Sequence, residues 1–260
     1  MYMEIKELSF SYKQSAPIIN GITAEFSKGK ITTIIGPNGS GKSTLLGLMA
    51  RNFVPQAGQI VLDGRQLQEL KAKELARQLA VVHQQNEAPY DLTVERLVAY
   101  GRLPYRHMFS QETAEDREAI DWALAVTKLS ELRSSKLNEL SGGQKQRAWI
   151  ALALAQKTTV LFLDEPTTFL DIYYQIELLD LVKELNEQYG LTIVMVLHDV
   201  NQAVRYSDEI KVVKDGYIIA EGAPEDVMTV ELMKQVYDVK AIIRKDEEIG
   251  MYIMPIAAKA

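Results

Sequence analysis

Apolar and polar residues alternate through MEIKELSFSY (3–12) and again through PIINGITAEFSKGKITTIIG (17–36), where Gly29-Lys30 marks a turn. A two-residue period is the mark of strands with one buried face, so the chain is predicted to open on strands. The period then lengthens. STLLGLMARNF (43–53) predicts an apolar helix, and QETAEDREAIDWALAVTKLSELR (111–133) carries apolar residues at helical spacing beneath a charged outer face. Further on, short β-branched runs lie beside helical stretches: TTVLFLDEP (158–166), a helix predicted near 172–189, TIVMVLHD (192–199), then EIKVVKDGYIIAEG (209–222). Strands alternating with helices argue for a largely parallel sheet covered on both faces, with VLFL and IVMVL at its buried centre. KAIIRKDEEIGMYIMPI (240–256) predicts a closing hairpin, to which the sequence attaches no function.

Composition narrows the classes. A length of 260 residues fits one large domain with inserted subdomains, or two small ones. A formal charge of −6 argues against a sequence-independent grip on nucleic acid, which needs a basic face. The absence of cysteine excludes disulfides, thiolate zinc sites and cysteine nucleophiles, in keeping with a reducing cytosol. MYMEIKELSF has no basic segment followed by an apolar stretch, so no signal peptide is expected. The longest apolar runs, AWIALALA (148–155) and IVMVL (193–197), fall far short of the roughly 20 residues that span a bilayer. Work at a membrane would have to go through partners.

The strongest chemistry lies in GPNGSGKST (36–44), which fits G-x-x-x-x-G-K-S/T residue for residue. The β-branched ITTII (31–35) leads in and an apolar helix leads out, the setting that such a phosphate loop requires. Gly36, Gly39 and Gly41 let backbone N–H groups turn inward around phosphate oxygens, and the helix N-terminus adds partial positive charge. Lys42 reaches the β- and γ-phosphates, and the Ser43 hydroxyl can ligate Mg²⁺. Pro37, Asn38, Ser40 and Thr44 complete the nucleotide-binding set. Phosphoryl transfer also needs a metal carboxylate and a group that orients water. Asp164 and Glu165, at the end of TTVLFLDEP, supply both; read alone, they could equally form a helix-capping turn before Pro166.

A second candidate lies at LSGGQKQR (140–147), ahead of the helical AWIALALAQ. Ser141 and Gln144 make an S-x-x-Q capping box, which starts a helix with no ligand at all. Gly142 and Gly143 are left over, since glycine weakens a first turn. They fit a helix start that backbone must bring close to an anion.

LSGGQ between a phosphate loop and LFLDEP resembles the signature of the ATP-binding cassette (ABC) ATPases, and the likeness runs from about residue 3 to 240. The resemblance implies an α/β fold: a P-loop NTPase core with a mainly parallel central sheet, an N-terminal antiparallel β subdomain and an inserted α-helical subdomain. It implies one nucleotide-binding domain over 1–260. Within it, 1–83 hold the antiparallel region and phosphate loop, 84–155 the helical subdomain, and 156–260 the rest of the core. It matches Tyr12 to an aromatic stacked on adenine, and Gln84 (with Gln85 as its neighbour) to a glutamine that senses Mg²⁺ and the transporter. Asp171 matches a residue communicating between sites, and His198 a switch that contacts the γ-phosphate. ATP and Mg²⁺ are the implied cofactors, with Asp164 acting on the metal through water. The sites are expected to be composite: Ser141, Gly142, Gly143 and Gln144 of one copy close over nucleotide held by Lys42 of another.

DLTVERLVAYGRLPYRHMF (91–109), PTTFLD and the stretch 198–239 are similar to the ATPases of iron-siderophore, haem and cobalamin importers. His83 stands where relatives often have proline, and Phe169 where they often have tyrosine. The expected partners are a second copy, a transmembrane permease and, indirectly, an extracytoplasmic substrate-binding protein, with no nucleic acid. The expected place is the cytoplasmic face of the plasma membrane. A chain that ends about twenty residues past the resemblance is expected to carry no added regulatory domain. The alternatives are an exporter motor or an importer of another cargo, and a non-transport ABC protein on ribosomes or DNA.

Overall fold

The computed structural model describes residues 2–13, 16–89, 91–106 and 111–258. The chain runs β1 (Met3–Phe10), β2 (Ile19–Phe26), β3 (Ile31–Ile35), α1 (Lys42–Met49), β4 (Ala57–Leu62) and β5 (Arg65–Gln66). Next come α2 (Ala72–Ala76), β6 (Leu79–Val82), α3 (Val94–Ala99), α4 (Ala114–Val126), α5 (Gly142–Ala155), β7 (Val160–Asp164) and α6 (Ile172–Tyr189). It closes with β8 (Thr192–Val196), α7 (Val200–Tyr206), β9 (Glu209–Lys214), β10 (Tyr217–Gly222), α8 (Pro224–Val227), α9 (Val230–Tyr237), β11 (Val239–Asp246) and β12 (Gly250–Ala258). These elements form two compact units, Met1–Glu69 with Thr192–Ala260, and Leu70–Leu191.

In the first unit, β2, β1, β4 and β5 form an antiparallel sheet in that order. The alternation of MEIKELSF slips once, because Met3 and Ile5 point inward but so do Leu8 and Phe10. A bulge absorbs the extra residue: Glu7 takes φ 50° and the register against β2 shifts between Ile5 and Leu8. β3 runs parallel to β8 on one side and β9 on the other. Every residue of β3 and β8 is buried, which is why ITTII and TIVMV are continuous runs rather than alternating ones. β10 folds back antiparallel on β9 through Asp215-Gly216. The closing hairpin is present as β11 and β12, paired from Val239↔Ala258 to Asp246↔Gly250 with one register shift between Lys240 and Ala241.

In the second unit, β6 and β7 pair in parallel, and α3, α4 and α5 pack on one another. The helix predicted over 111–133 is shorter than its pattern: α4 ends at Val126, and Lys128 turns left-handed at φ 57°. Within GRLPY, Gly101 and Arg102 are buried while Leu103 is exposed. A Cβ on Gly101 would lie 2.2 Å from the Leu152 carbonyl, so only glycine lets this turn meet α5. Arg102, 1% exposed, donates to Asp116 Oδ1 at 2.9 Å and to the Ala155 carbonyl at 2.9 Å. Tyr105 donates its hydroxyl to the Gln156 carbonyl, and the Pro104 carbonyl accepts two bonds from Arg77. Burial alone would raise Asp116, but Arg102, Thr113 and Arg106 outweigh it and hold the carboxyl below its ordinary value. His107, Met108 and Phe109, the end of the stretch read as importer-like, lie outside the described residues.

Candidate functional site

The loop of residues 36–44 leaves β3 and enters α1, as its sequence context requires. Gly36 takes φ 149°, and a Cβ there would sit 2.0 Å from the Val213 carbonyl of β9, so backbone packs directly on backbone. Gly39 takes φ 78° with open space around its missing Cβ; the conformation, rather than crowding, demands glycine. Lys42 is 5% exposed and curls back over the loop, donating from Nζ to the Gly36 carbonyl at 3.0 Å and the Pro37 carbonyl at 2.9 Å.

The donors suit an anion. Gly41 stands at the N-cap of α1 without a side-chain hydrogen bond, so the cap leaves the helix's first N–H groups to another acceptor. Ser40 Oγ is buried and has no hydrogen-bond partner among the described residues, an orphaned hydroxyl inside the loop. A buried ammonium and an orphaned hydroxyl at a helix start fit a bound phosphate chain.

The loop is braced from outside. Gly216 N–H, in the β9–β10 turn, donates to the Ser40 carbonyl at 3.1 Å. Tyr237, ending α9, is half-buried: burial pushes its hydroxyl up to about 12, against the opposing effect of a backbone hydrogen bond from Gly36. Nothing in the pattern around residue 237 marks this role, because its partner is about 200 positions away. Tyr12 is 40% exposed, packs edge-on to Phe10 and Phe53, and shares a 3.2 Å hydrogen bond with Thr44 Oγ1. His198 follows β8, exposed, just ahead of Asp199, which caps α7.

In the second unit, Asp164 is the last residue of β7, and Glu165, just past the strand, turns left-handed at φ 49°. Gln84, in the loop after β6, donates its amide to Glu165 Oε2, and Thr168 Oγ1 donates to the same oxygen at 3.3 Å. Asp171 caps α6 by accepting from Tyr174 N–H. The S-x-x-Q box is present: Ser141 Oγ accepts from Gln144 N–H, and Gln144 Oε1 from Ser141 N–H at 2.9 Å. Its two glycines differ. A Cβ on Gly143 would lie 2.6 Å from the Tyr174 ring, whereas one on Gly142 would meet only Leu170 at 3.6 Å. Packing on α6 therefore accounts for Gly143, and approach to an anion is left as a reason for Gly142 alone.

Known proteins share this architecture. A family model described as ABC transporter matches residues 19–168. The petrobactin import ATP-binding protein FpuC of Bacillus anthracis is 46% identical over 230 residues, covering 88% of this chain and 85% of its own. The ferric enterobactin transport ATP-binding protein FepC of Escherichia coli (strain K12) is 43% identical over 244 residues, 94% and 90% of the two chains. Among solved structures, a chain of an inward-facing ABC transporter described as of metal-chelate type gives a TM-score of 0.86 at 25% identity, covering 98% and 97%. A dimeric ATP-binding cassette, MJ0796, bound to ADP and Pi after hydrolysis, gives 0.74 at 30% identity, covering 85% and 98%. With the phosphate loop, the two-carboxylate strand end and the LSGGQ helix start all present, the chain belongs to the ABC transporter family.

Proposed function

We propose that this chain is the ATP-hydrolysing motor of an importer for an iron-siderophore or a related metal chelate. The ATP-binding loop carries the proposal: a buried Lys42, an orphaned Ser40 hydroxyl and a helix start without a side-chain cap are arranged for a triphosphate. In the first unit, Gly36 to Thr44 cradle the phosphates, Tyr12 stacks on the base and His198 contacts the γ-phosphate. Ser43 gives a hydroxyl to Mg²⁺, which neutralises charge on the phosphates when bound. In the second unit, Asp164 acts on the metal through water, Glu165 orients the attacking water, and Gln84 carries the metal and transporter signal. The Gln84–Glu165 hydrogen bond supports choosing Gln84 over Gln85 for that role.

The cargo class rests on the relatives, named for petrobactin, ferric enterobactin and iron(3+)-hydroxamate systems. Among the described residues no helix is long and apolar enough to cross a membrane, and the partner of this reading is a transmembrane permease. We place the chain on the cytoplasmic face of that permease, as one cassette over 1–260 paired with a second copy. Ser141, Gly142, Gly143 and Gln144 then close over the partner's nucleotide, Asp171 links the two sites, and an extracytoplasmic binding protein delivers cargo.

Glu165→Gln tests the reading. The variant keeps ATP binding and loses the base, so hydrolysis falls by roughly 10²-fold or more. An ATP-bound dimer then accumulates, visible by size-exclusion chromatography with Mg²⁺–ATP. Near-normal turnover would remove Glu165 from the chemistry.

A further inference from the structure

The terminal hairpin grips the start of α7 through one side chain. Asn201 donates from Nδ2 to the Ile253 carbonyl at 3.0 Å and accepts the Ile253 N–H on Oδ1 at 2.7 Å. One primary amide thus satisfies both backbone groups of one β12 residue, as a neighbouring strand would. Two parallel bonds fix orientation as well as distance, which a single bond leaves loose. Ile253 is 2% exposed, so the anchoring end lies in packed surroundings.

The same residue is held through its main chain. Asp199 Oδ1 accepts from Asn201 N–H at 2.7 Å and from Gln202 N–H at 3.0 Å. On the other side, Leu197 N–H donates to the Ile34 carbonyl at 3.3 Å, tying the end of β8 to β3. His198 therefore sits on a short bridge between two fixed points, its own side chain exposed. The β3 side of that bridge belongs to the sheet core. The body of α7 packs on β3 and α8 with Ala203 and Tyr206 buried, and Asn201 ties its first turn to β12.

We propose that Asn201 is a positioning residue for His198, clamping the first turn of α7 to the terminal hairpin so that the imidazole is presented to the γ-phosphate. This rests on the reading of His198 as the phosphate contact. The hairpin, which pattern alone left without a role, becomes a back-stop for the switch. A clamp of this kind acts on the bond-breaking step and leaves the phosphate loop untouched, so it affects kcat rather than ATP affinity.

The test uses the full chain with Mg²⁺–ATP. Asn201→Ala removes both bonds and should lower kcat roughly fivefold to tenfold, tenfold being about 1.4 kcal/mol, with KM for ATP within about twofold. Asn201→Asp keeps an acceptor for the Ile253 N–H but sets a second acceptor against the Ile253 carbonyl, so it should not restore kcat. Histidine labelled with ¹³C and ¹⁵N gives three imidazole signals, because the chain has three histidines. His198→Gln identifies its own signal by removing it. In Asn201→Ala that signal should shift or broaden while the signals of His83 and His107 stay in place. An unmoved His198 signal, a rise in KM at constant kcat, or a joint shift of all three imidazoles would overturn the proposal. Wild-type turnover in His198→Gln would defeat the phosphate reading itself, and the clamp would then stand or fall on the imidazole signals alone.

Discussion

Gly142 and Gly143 look interchangeable in the sequence, and their surroundings part them. A methyl at 143 would run into the Cβ and ring of Tyr174, where neither α5 nor α6 can yield cheaply. A methyl at 142 meets only ordinary contact distance, and alanine is the better helix former. Gly143→Ala should therefore cost about 1–3 kcal/mol, read as a lowered urea midpoint, while Gly142→Ala stays within about 0.5 kcal/mol of the parent. Equal losses at both positions would refute the packing account. Features built from near neighbours in sequence, such as the loop that carries Lys42 between β3 and α1 or the capping box of Ser141, were legible beforehand. Gly143, Asn201 and Tyr237 were not, because each answers to a partner that only the folded chain brings near.

At the scale of elements, the importer-like GRLPY proves to be a staple within its own unit. Arg102 is buried against Asp116, and breaking a buried ion pair by removing one partner typically costs about 3–5 kcal/mol. Arg102→Ala should lower the urea midpoint accordingly, with the slope unchanged if only stability is affected. The sign of its pH dependence follows from Asp116. A carboxyl held below its unfolded value of 3.8 contributes stability above that pH and loses it as the pH falls through the lower, folded value. The gap between wild type and Arg102→Ala should thus be full at neutral pH and narrow below about pH 4, checked by denaturation at several pH values. Element types were read well from periodicity, since continuous and alternating apolar runs reflect burial on two faces or one. Two boundaries escaped it: the bulge at Glu7 and the stop of α4 before Lys128 both use left-handed non-glycine residues, which carry no sequence mark.

For the whole molecule, composite sites predict that two dead proteins can rescue each other. Lys42→Ala should lose phosphate binding, and Ser141→Arg should block closure over the partner's nucleotide. A mixed dimer then holds one site damaged twice and one site pairing an intact Lys42 with an intact Ser141. Nucleotide trapping should recover to at most one site per dimer; confirmed heterodimers that trap no more than either parent would argue against sharing. The fold class was legible from alternating strands and helices, but the division of the chain was not, since units are defined by contacts rather than by composition. That division has a consequence during synthesis. The first unit is split in sequence around the second, and β3 has both its neighbours, β8 and β9, more than 150 residues downstream. At about 5–20 residues per second, the nascent Ile31–Ile35 strand waits on the order of 10 to 30 seconds for either flank. For that interval the strand bearing the phosphate loop is an unpaired apolar edge on the ribosome, the segment of this chain most in need of shelter from its neighbours.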